Sequence, residues 1–370
     1  MRLRSRFFIL NLLLLMSAVD LSAQDFLVKK EMFQWGILPP IPDSIGFAGS
    51  FAGTANDVLI VVGGSNFPNG GTPWNGGTKT WYDKIFVLEK PGSAWKEAGK
   101  LPFPLGYGVS VSTEDGLILI GGSNAKGHVP NVFRLQYHEG NIKVEELPSL
   151  PFPLANSCGA LIGDKIFIAG GLRTPSSSSE NKFLCFDLKQ NKGSWTELPS
   201  WPGPSRMMAV AGADNKHFYL FSGAELANGS RAYLKDAYSF SEREGWKKLA
   251  DLPWPVTAAP SLAFCFVDHG MFIFGGDAGT HSSAAATLRE KHPGFNDKIL
   301  LYDVHKNSWS SVGEMYTNKK ADQVEKPNNS IWAPVTTSLV VWKNMIVFPG
   351  GEVRPGTRTP NVIIAKPYRK

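Results

Sequence analysis

The segment Val58-Leu59-Ile60-Val61-Val62-Gly63-Gly64 is a run of apolar residues that ends in a glycine pair, and its pattern recurs along the 370-residue chain. The other copies are LILIGG (117–122), KIFIAGG (165–171), HFYLFSG (217–223), MFIFGG (271–276) and MIVFPGG (345–351). The fourth copy departs from the pattern because Ser222 replaces the first glycine. Self-similarity at a spacing of about 40–50 residues is typical of propellers and solenoids, so the chain is predicted to be a repeat protein.

A second apolar run follows each glycine pair, and in most units a Trp and a Leu-Pro come next, as at Trp95 and Leu101-Pro102. The second runs are DKIFVLEK (83–90), NVFRLQY (131–137), KFLCFDL (182–188), DAYSF (236–240), DKILLYDV (297–304) and NVIIAKP (361–367). Each unit is therefore predicted to form four short strands. The second strand is continuously apolar, as expected if neighbouring sheets cover both of its faces. The pattern resembles the kelch repeat, which implies an all-β, six-bladed β-propeller.

The two ends of the chain are predicted to share the last blade. The sixth unit stops after its third strand at Lys370, whereas Met32-Phe33-Gln34-Trp35 with Leu38-Pro39 has the character of a fourth strand. We expect residues 31–38 to pair with 361–367, because this closes the ring and removes a free sheet edge.

The N-terminus has the pattern of a secretory signal peptide. Arg2, Arg4 and Arg6 precede an apolar stretch from Phe7 to Val19, and Leu21-Ser22-Ala23 offers a cleavage site. We expect a signal peptide at 1–23, a propeller at 24–370 and a periplasmic or secreted protein. The stretch is shorter than the roughly twenty residues of a membrane span, and no later segment is longer, so no membrane insertion is expected.

Composition excludes several other classes. Charged residues make up 19% of the chain and hydrophobic residues 43%, with 38 Gly and 26 Pro, which excludes a coiled coil and global disorder. The net charge of +6 comes without a Lys/Arg run interleaved with aromatics, so no nucleic-acid partner is expected. Cys158, Cys185 and Cys265 lie in strand-like runs without metal-ligand spacing, which predicts buried free thiols and no metal site.

The segment Gly350-Gly351-Glu352-Val353-Arg354-Pro355-Gly356-Thr357-Arg358-Thr359 carries the sharpest functional signal. It resembles the signature region of the N-acetylneuraminate epimerases, or sialic acid mutarotases. In that family a Gly-Phe-Ala-Gly segment follows the signature, whereas here Gly46-Phe47-Ala48-Gly49 lies near the N-terminus. The order is cyclically permuted, and a closed ring is expected to keep the two segments in contact.

This resemblance implies that Glu352 is the catalytic general base and that Arg358 acts with it. It also implies a carbohydrate isomerase that interconverts the α and β anomers of N-acetylneuraminate by acid/base ring opening, in the service of sialic acid utilisation. No cofactor is expected, and the resemblance is consistent with a homodimer. The residue types suit the chemistry, because a carboxylate can transfer the proton and an arginine fork can hold the substrate carboxylate.

Further candidates lie in the loops that follow the glycine pairs. Arg354, Arg173, Arg231 and Asn66 are predicted to bind substrate: Arg173-Thr174-Pro175 echoes Arg358-Thr359-Pro360, and Arg231 follows Glu225 with the offset of the Glu352–Arg358 pair. His281 and His292 are candidates for the complementary acid. The last of these loops, 277–297, is expected to hold a short helix near 284–291.

Alternatives from other classes remain open at this point. A propeller of this kind can bind a glycan or a protein without catalysis, in which case Glu352 and Arg358 simply pair or cap a turn. A sialidase is disfavoured because residues 191–195, the segment nearest to an Asp-box, lack its Ser and Asp. A copper radical oxidase is also disfavoured. It needs a Cys joined to a Tyr, whereas the three cysteines lie in predicted strands, where core positions are expected.

Overall fold

The computed structural model describes residues 26–30, 32–68, 71–190, 193–266, 270–320 and 330–368. In these residues the larger sheets are six antiparallel blades, five with four strands and one with five. The predicted six-bladed β-propeller is therefore confirmed. The predicted signal peptide lies outside the described residues, and within them no helix is long and apolar enough to cross a membrane.

Blades 1 to 5 are each built from four strands in chain order, with the continuously apolar second strand in the interior of the sheet. The strands of blade 1 are Phe51–Ala55, Val58–Val62, Lys84–Leu88 and Lys96–Lys100. Those of blade 2 are Val109–Thr113, Gly116–Ile120, Val132–His138 and Asn141–Leu147. Those of blade 3 are Cys158–Ile162, Lys165–Ala169, Phe183–Asp187 and Thr196–Leu198.

Blades 4 and 5 repeat this four-stranded arrangement. The strands of blade 4 are Val210–Ala213, Phe218–Phe221, Ala237–Ser241 and Gly245–Lys248. Those of blade 5 are Phe264–Phe266, Gly270–Gly276, Asn296–Asp303 and Ser308–Glu314.

Blade 6 joins the two ends of the chain. The C-terminal part supplies Val340–Trp342, Met345–Pro349 and Val362–Pro367. The strand Phe33–Leu38 pairs with the last of these, with Gly36 opposite Ile364, and Phe26–Lys30 adds a fifth strand at the edge. The predicted ring closure is confirmed, whereas the fifth strand was not predicted.

The segments after the second strands all lie on one face of the ring, which we call the hairpin face. Four of them form small hairpins: Ser65–Asn66 with Thr80–Trp81, Ser123–Asn124 with Gly127–His128, Ala224–Ala227 with Ser230–Tyr233, and Glu352–Arg354 with Thr357–Arg358. A 3-10 turn, Pro73–Asn75, lies in the first hairpin. The blade 5 loop carries Ser282–Ala284, the expected short helix Ala285–Leu288, and Arg289–Lys291.

A closed ring of backbone hydrogen bonds surrounds the central channel. The ring is made of six residues with a positive φ, one from each blade. The N–H of each donates to the carbonyl of the ring residue in the preceding blade at 2.7–2.8 Å. These residues are Gly49, Tyr107, Asn156, Met208, Ala258 and Thr336. The bond from Gly49 to Thr336, 2.7 Å long, completes the circle between blades 1 and 6. Each blade is thus fixed to both neighbours at the channel.

The cysteines have the environment expected of structural thiols. Cys158 and Cys185 are buried and Cys265 is half-buried, all three as free thiols. Burial raises the pKa of Cys158 to about 12 and that of Cys185 to about 11. No cluster of three potential metal ligands occurs in the part of the chain that the structure describes.

Candidate active site

Glu352 lies directly after the glycine pair of blade 6 and next to the ring around the channel, because its bridge partner Val335 precedes Thr336 of that ring. Its backbone exchanges hydrogen bonds with Val335, of 2.8 and 2.9 Å, at the entry to the same blade. The equivalent positions in blades 1 to 5 are Ser65, Ser123, Leu172, Ala224 and Asp277. Carboxylates therefore occupy this position in two adjacent blades, 5 and 6.

One oxygen of the Glu352 carboxylate is held by its own turn. Oε1 accepts the backbone N–H of Gly356 at 2.7 Å and lies 3.4 Å from Nη1 of Arg358. Oε2 has no hydrogen-bond partner among the described residues and is not fully buried, and the side chain as a whole is 19% exposed. The turn at Pro355-Gly356 thus fixes the carboxylate while leaving one oxygen available.

Arg358 is a buried cation beside that carboxylate. Its side chain is 5% exposed, and its guanidinium carbon lies 4.7 Å from the ring centroid of Phe67 in the hairpin of blade 1. Its Nε is buried and has no hydrogen-bond partner in the described part of the chain. Buried N–H groups are nearly always bonded, so this unbonded donor makes Arg358 a candidate for ligand binding.

Arg354 has a different environment, although it lies in the same hairpin. Its guanidinium carbon lies 4.9 Å from the ring centroid of Trp332, and Nη1 donates to the carbonyl of Glu290 at 3.5 Å. The carboxylate of Glu290 in turn accepts the indole N–H of Trp74 at 3.0 Å. Arg354 therefore joins the blade 6 hairpin to the blade 5 loop.

The two halves of the epimerase-like motif are in contact, as expected. The carbonyl of Phe47 accepts the N–H of Gly351 at 2.8 Å, and a Cβ placed on Gly46 would lie 2.1 Å from the carbonyl of Thr359. Asn66 supports this junction: its Nδ2 donates to the carbonyl of Gly46 at 3.0 Å. Asn66 has no exposed surface, so, contrary to the prediction, its side chain is not accessible to a ligand.

The remaining predicted residues lie on blades 3 and 4. Nε of Arg173 lies 3.0 Å from Oε1 of Glu180, and its guanidinium carbon lies 4.0 Å from the ring centroid of Phe152. Arg231 is exposed on its hairpin. The structure brings neither arginine into contact with Glu352 or Arg358.

His292 is a buried histidine in the blade 5 loop and lines a cleft of about 260 Å³ together with Asp277 and His281. It is 5% exposed, and its Nδ1 accepts the N–H of Gly294 at 3.1 Å, so the neutral ring carries its proton on Nε2. Burial lowers the pKa of His292, and the charges of His281 and Arg354 act in the same direction.

Asp277 is the functional candidate that sequence reasoning missed. Its Oδ1 accepts the N–H of Gly279 at 2.8 Å, and its Oδ2 accepts the hydroxyl of Tyr233 at 3.1 Å. The signal was available, because Asp277 follows Gly275-Gly276 as Glu352 follows its own glycine pair.

A family model described as N-acetylneuraminate epimerase matches residues 21–144 and 147–281 of this chain. The chain belongs to the N-acetylneuraminate epimerase family. Residues Glu352 and Arg358 lie outside the matched ranges, so the family match does not cover the motif to which they belong.

Individual relatives match over a shorter segment. The chain is 39% identical over 120 residues to the N-acetylneuraminate epimerase of Salmonella arizonae. This alignment covers 29% of this chain and 31% of that enzyme. It is 38% identical over 109 residues to the enzyme of that name from Yersinia enterocolitica, covering 27% of each. The matched segment thus spans about a third or less of these curated relatives.

A solved structure supports the architecture of this N-acetylneuraminate epimerase family member. The structure of YjhT superposes with a TM-score of 0.63 at 15% identity, covering 88% of this chain and 96% of YjhT. At that identity the likeness shows the fold alone.

Proposed function

We propose that this protein catalyses the interconversion of the α and β anomers of N-acetylneuraminate. One observation carries the proposal: in a member of this family, Glu352 has one oxygen held by Gly356 and Arg358 and the other available, next to the ring around the channel. A fixed carboxylate with one available oxygen has the geometry that a general base needs.

The reaction requires proton transfer at two oxygens of the sugar. Glu352 takes the proton of the anomeric hydroxyl, the bond from the anomeric carbon to the ring oxygen breaks, and the ring oxygen gains a proton. The open-chain keto acid then rotates and recloses on the other face, with the proton transfers reversed. The proton count is unchanged over the cycle, so no cofactor is required by this scheme.

His292 is our candidate for the group that assists the ring oxygen. Burial lowers the pKa of His292, which favours the neutral imidazole, and its Nδ1 is occupied, so Nε2–H is the available donor. A neutral imidazole donates a hydrogen bond to the developing charge, while solvent supplies the proton. Arg358 is suited to the substrate carboxylate, because its unused Nε–H belongs to a planar fork.

We further propose that the protein is exported, since residues 1–23 have the pattern of a signal peptide, and that it works in the periplasm or outside the cell. The resemblance is also consistent with a homodimer, and sedimentation of the mature chain at several concentrations tests this.

The test is proton NMR of freshly released α-N-acetylneuraminate with the mature protein, at a pH where spontaneous exchange is slow. We expect faster anomer equilibration, its loss in Glu352→Gln, and wild-type behaviour in Glu225→Gln, the matched change on blade 4. If Glu352→Gln still accelerates anomer exchange, Glu352 is not the general base.

A non-catalytic glycan-binding propeller is the second candidate, and the contact of Oε1 with the Gly356 N–H favours it, since a turn cap makes the same bond. In that case the wild-type protein broadens the sugar signals without accelerating exchange. Glu352→Gln would then leave the affinity unchanged.

A further inference from the structure

A second cleft on the hairpin face lies between the hairpins of blades 1 and 2. Its volume is about 630 Å³, and its walls include Lys79, Trp81, Phe103 and His128. This volume is within the range of small-molecule sites, roughly 300–1,000 Å³. The hairpin of blade 1 separates this cleft from the Glu352 site, because its Phe67 contacts Arg358 while Lys79 and Trp81 wall the cleft.

Lys79 provides a positive charge at this cleft. Its Nζ lies 3.9 Å from the ring centroid of Tyr107 and 4.6 Å from that of Trp81. No carboxylate of the described residues lies within ion-pair distance of this ammonium group, which is held by two aromatic faces instead. The cation is therefore fixed in position without being neutralised.

Unused polar atoms accompany this cation. Both ring nitrogens of His128 and the indole nitrogen of Trp81 are buried, and no group in the described ranges bonds to them. Burial and the charge of Lys79 lower the pKa of His128 to about 4, so the ring is neutral at pH 7 and offers one donor and one acceptor. Buried polar atoms are nearly always satisfied, so three such atoms in one cleft point to a missing partner.

We propose that this cleft binds a sugar acid, with its carboxylate on the ammonium group of Lys79, its apolar face on the aromatic wall of Trp81 and Phe103, and its hydroxyls at His128. The donor set fits this class, because a hydroxyl both donates and accepts while a carboxylate only accepts. This is a binding site separate from the proposed reaction centre. Its occupant is either a second molecule of the proposed substrate or another sugar acid of the same chemistry.

The experiment uses glycosides, whose anomeric centre is locked, so that binding is measured without turnover. The mature protein is titrated calorimetrically with methyl β-D-glucuronide, with the methyl α-glycoside of N-acetylneuraminate, and with neutral methyl β-D-glucoside. We expect at least one of the acids to bind about tenfold or more tightly than the neutral glycoside, since the charge-assisted contact is lost in the latter. Which acid binds better distinguishes the two sources.

Lys79→Met should remove the preference for the acid, and Lys79→Gln should reproduce the loss with a polar side chain. Lys90→Met is the matched control: it removes the same charge at an exposed turn on the opposite face of the ring, and it should bind as wild type does. Equal affinity for acid and neutral glycosides in the wild type, or unchanged binding in Lys79→Met, would overturn the proposal.

Arg358→Ala separates this proposal from the proposed function. Binding that is lost in Arg358→Ala and kept in Lys79→Met would place the probe at the Glu352 site and refute the second site. Binding that depends on Lys79 in a protein that does not exchange anomers would support the cleft while refuting the isomerase.

Discussion

Gly351 donates its backbone N–H to the carbonyl oxygen of Phe47 at 2.8 Å, although the two residues lie near opposite ends of the chain. The same bond, also 2.8 Å long, joins Gly64 to Leu105, Gly122 to Leu154 and Gly171 to Arg206 at other blade junctions. The seam between the chain ends is thus built like an ordinary junction. A cyclic permutation of the motif order therefore leaves its spatial arrangement intact.

Closure of the ring makes Trp35 a stability determinant. Trp35 has no exposed surface and packs against Phe274 and Phe348, with ring centroids 6.2 Å away in both cases. We expect Trp35→Ala to lower the free energy of unfolding by about 3–5 kcal/mol, because it leaves a large cavity at the seam. Urea unfolding measures this loss. Val341→Ala, at a 55% exposed position in the same blade, should change stability by less than about 0.5 kcal/mol.

Arg358→Lys tests whether the guanidinium fork is required. A lysine keeps the charge but presents one point donor instead of a planar pair, and it loses the contact of the guanidinium with the Phe67 ring. We expect the affinity for N-acetylneuraminate to fall at least tenfold, measured by titration of the Glu352→Gln protein, in which turnover is removed. Arg231→Lys, an exposed arginine on the blade 4 hairpin, should bind normally; a comparable loss there would argue against the assigned role.

The burial of His128 predicts a pH dependence of stability. Its pKa is about 4 in the folded protein and about 6.5 when unfolded, so the unfolded state takes up the proton first as the pH falls. Stability is therefore lost progressively below about pH 6.5. From pH 7.5 to pH 5 this one group contributes a loss of about 2 kcal/mol.

Urea unfolding at the two pH values checks this contribution. His128→Gln should lose about 2 kcal/mol less stability than the wild type between pH 7.5 and pH 5. His138→Gln is the control, because that side chain is 83% exposed and should leave the pH dependence as it is. An unchanged dependence in His128→Gln would show that the imidazole is not desolvated.

The fold was predictable because each level of the sequence points to the same structure. The apolar runs of the second strands and the Gly pairs define six blades. The strand pattern of residues 33–38 predicts that the N-terminal segment completes the last blade, where the two chain ends meet. The Glu352–Arg358 contact was also predictable, since the Pro355-Gly356 turn brings residues six apart together across a hairpin.

The rest of the site depends on side-chain burial, which residue type does not reveal. Asn66 is a residue type that often binds sugar hydroxyls. Its amide, however, is already hydrogen-bonded to the carbonyl of Gly46 and to the hydroxyl of Tyr82. Arg173 echoes Arg358 in sequence, but it lies on a different blade and pairs with Glu180. Local pattern gives the position along a hairpin, whereas the packing of neighbouring loops decides which side chains reach the channel.

Gly46→Ala tests the contact between the two halves of the motif. Gly46 has φ +78°, and a Cβ there would lie 2.1 Å from the carbonyl carbon and oxygen of Thr359, so the neighbouring backbone must move. We expect a loss of stability of more than about 2 kcal/mol together with a marked loss of anomer exchange, because Thr359 is adjacent to Arg358.

Gly229→Ala is the matched control for this substitution. Its φ of +77° imposes the same backbone strain, but a Cβ there meets nothing within 4 Å. It should cost about 1 kcal/mol and leave exchange intact, so the difference between the two variants measures the contact with Thr359 rather than the strain. Equal stability and activity in Gly46→Ala and Gly229→Ala would show that this junction does not position Arg358.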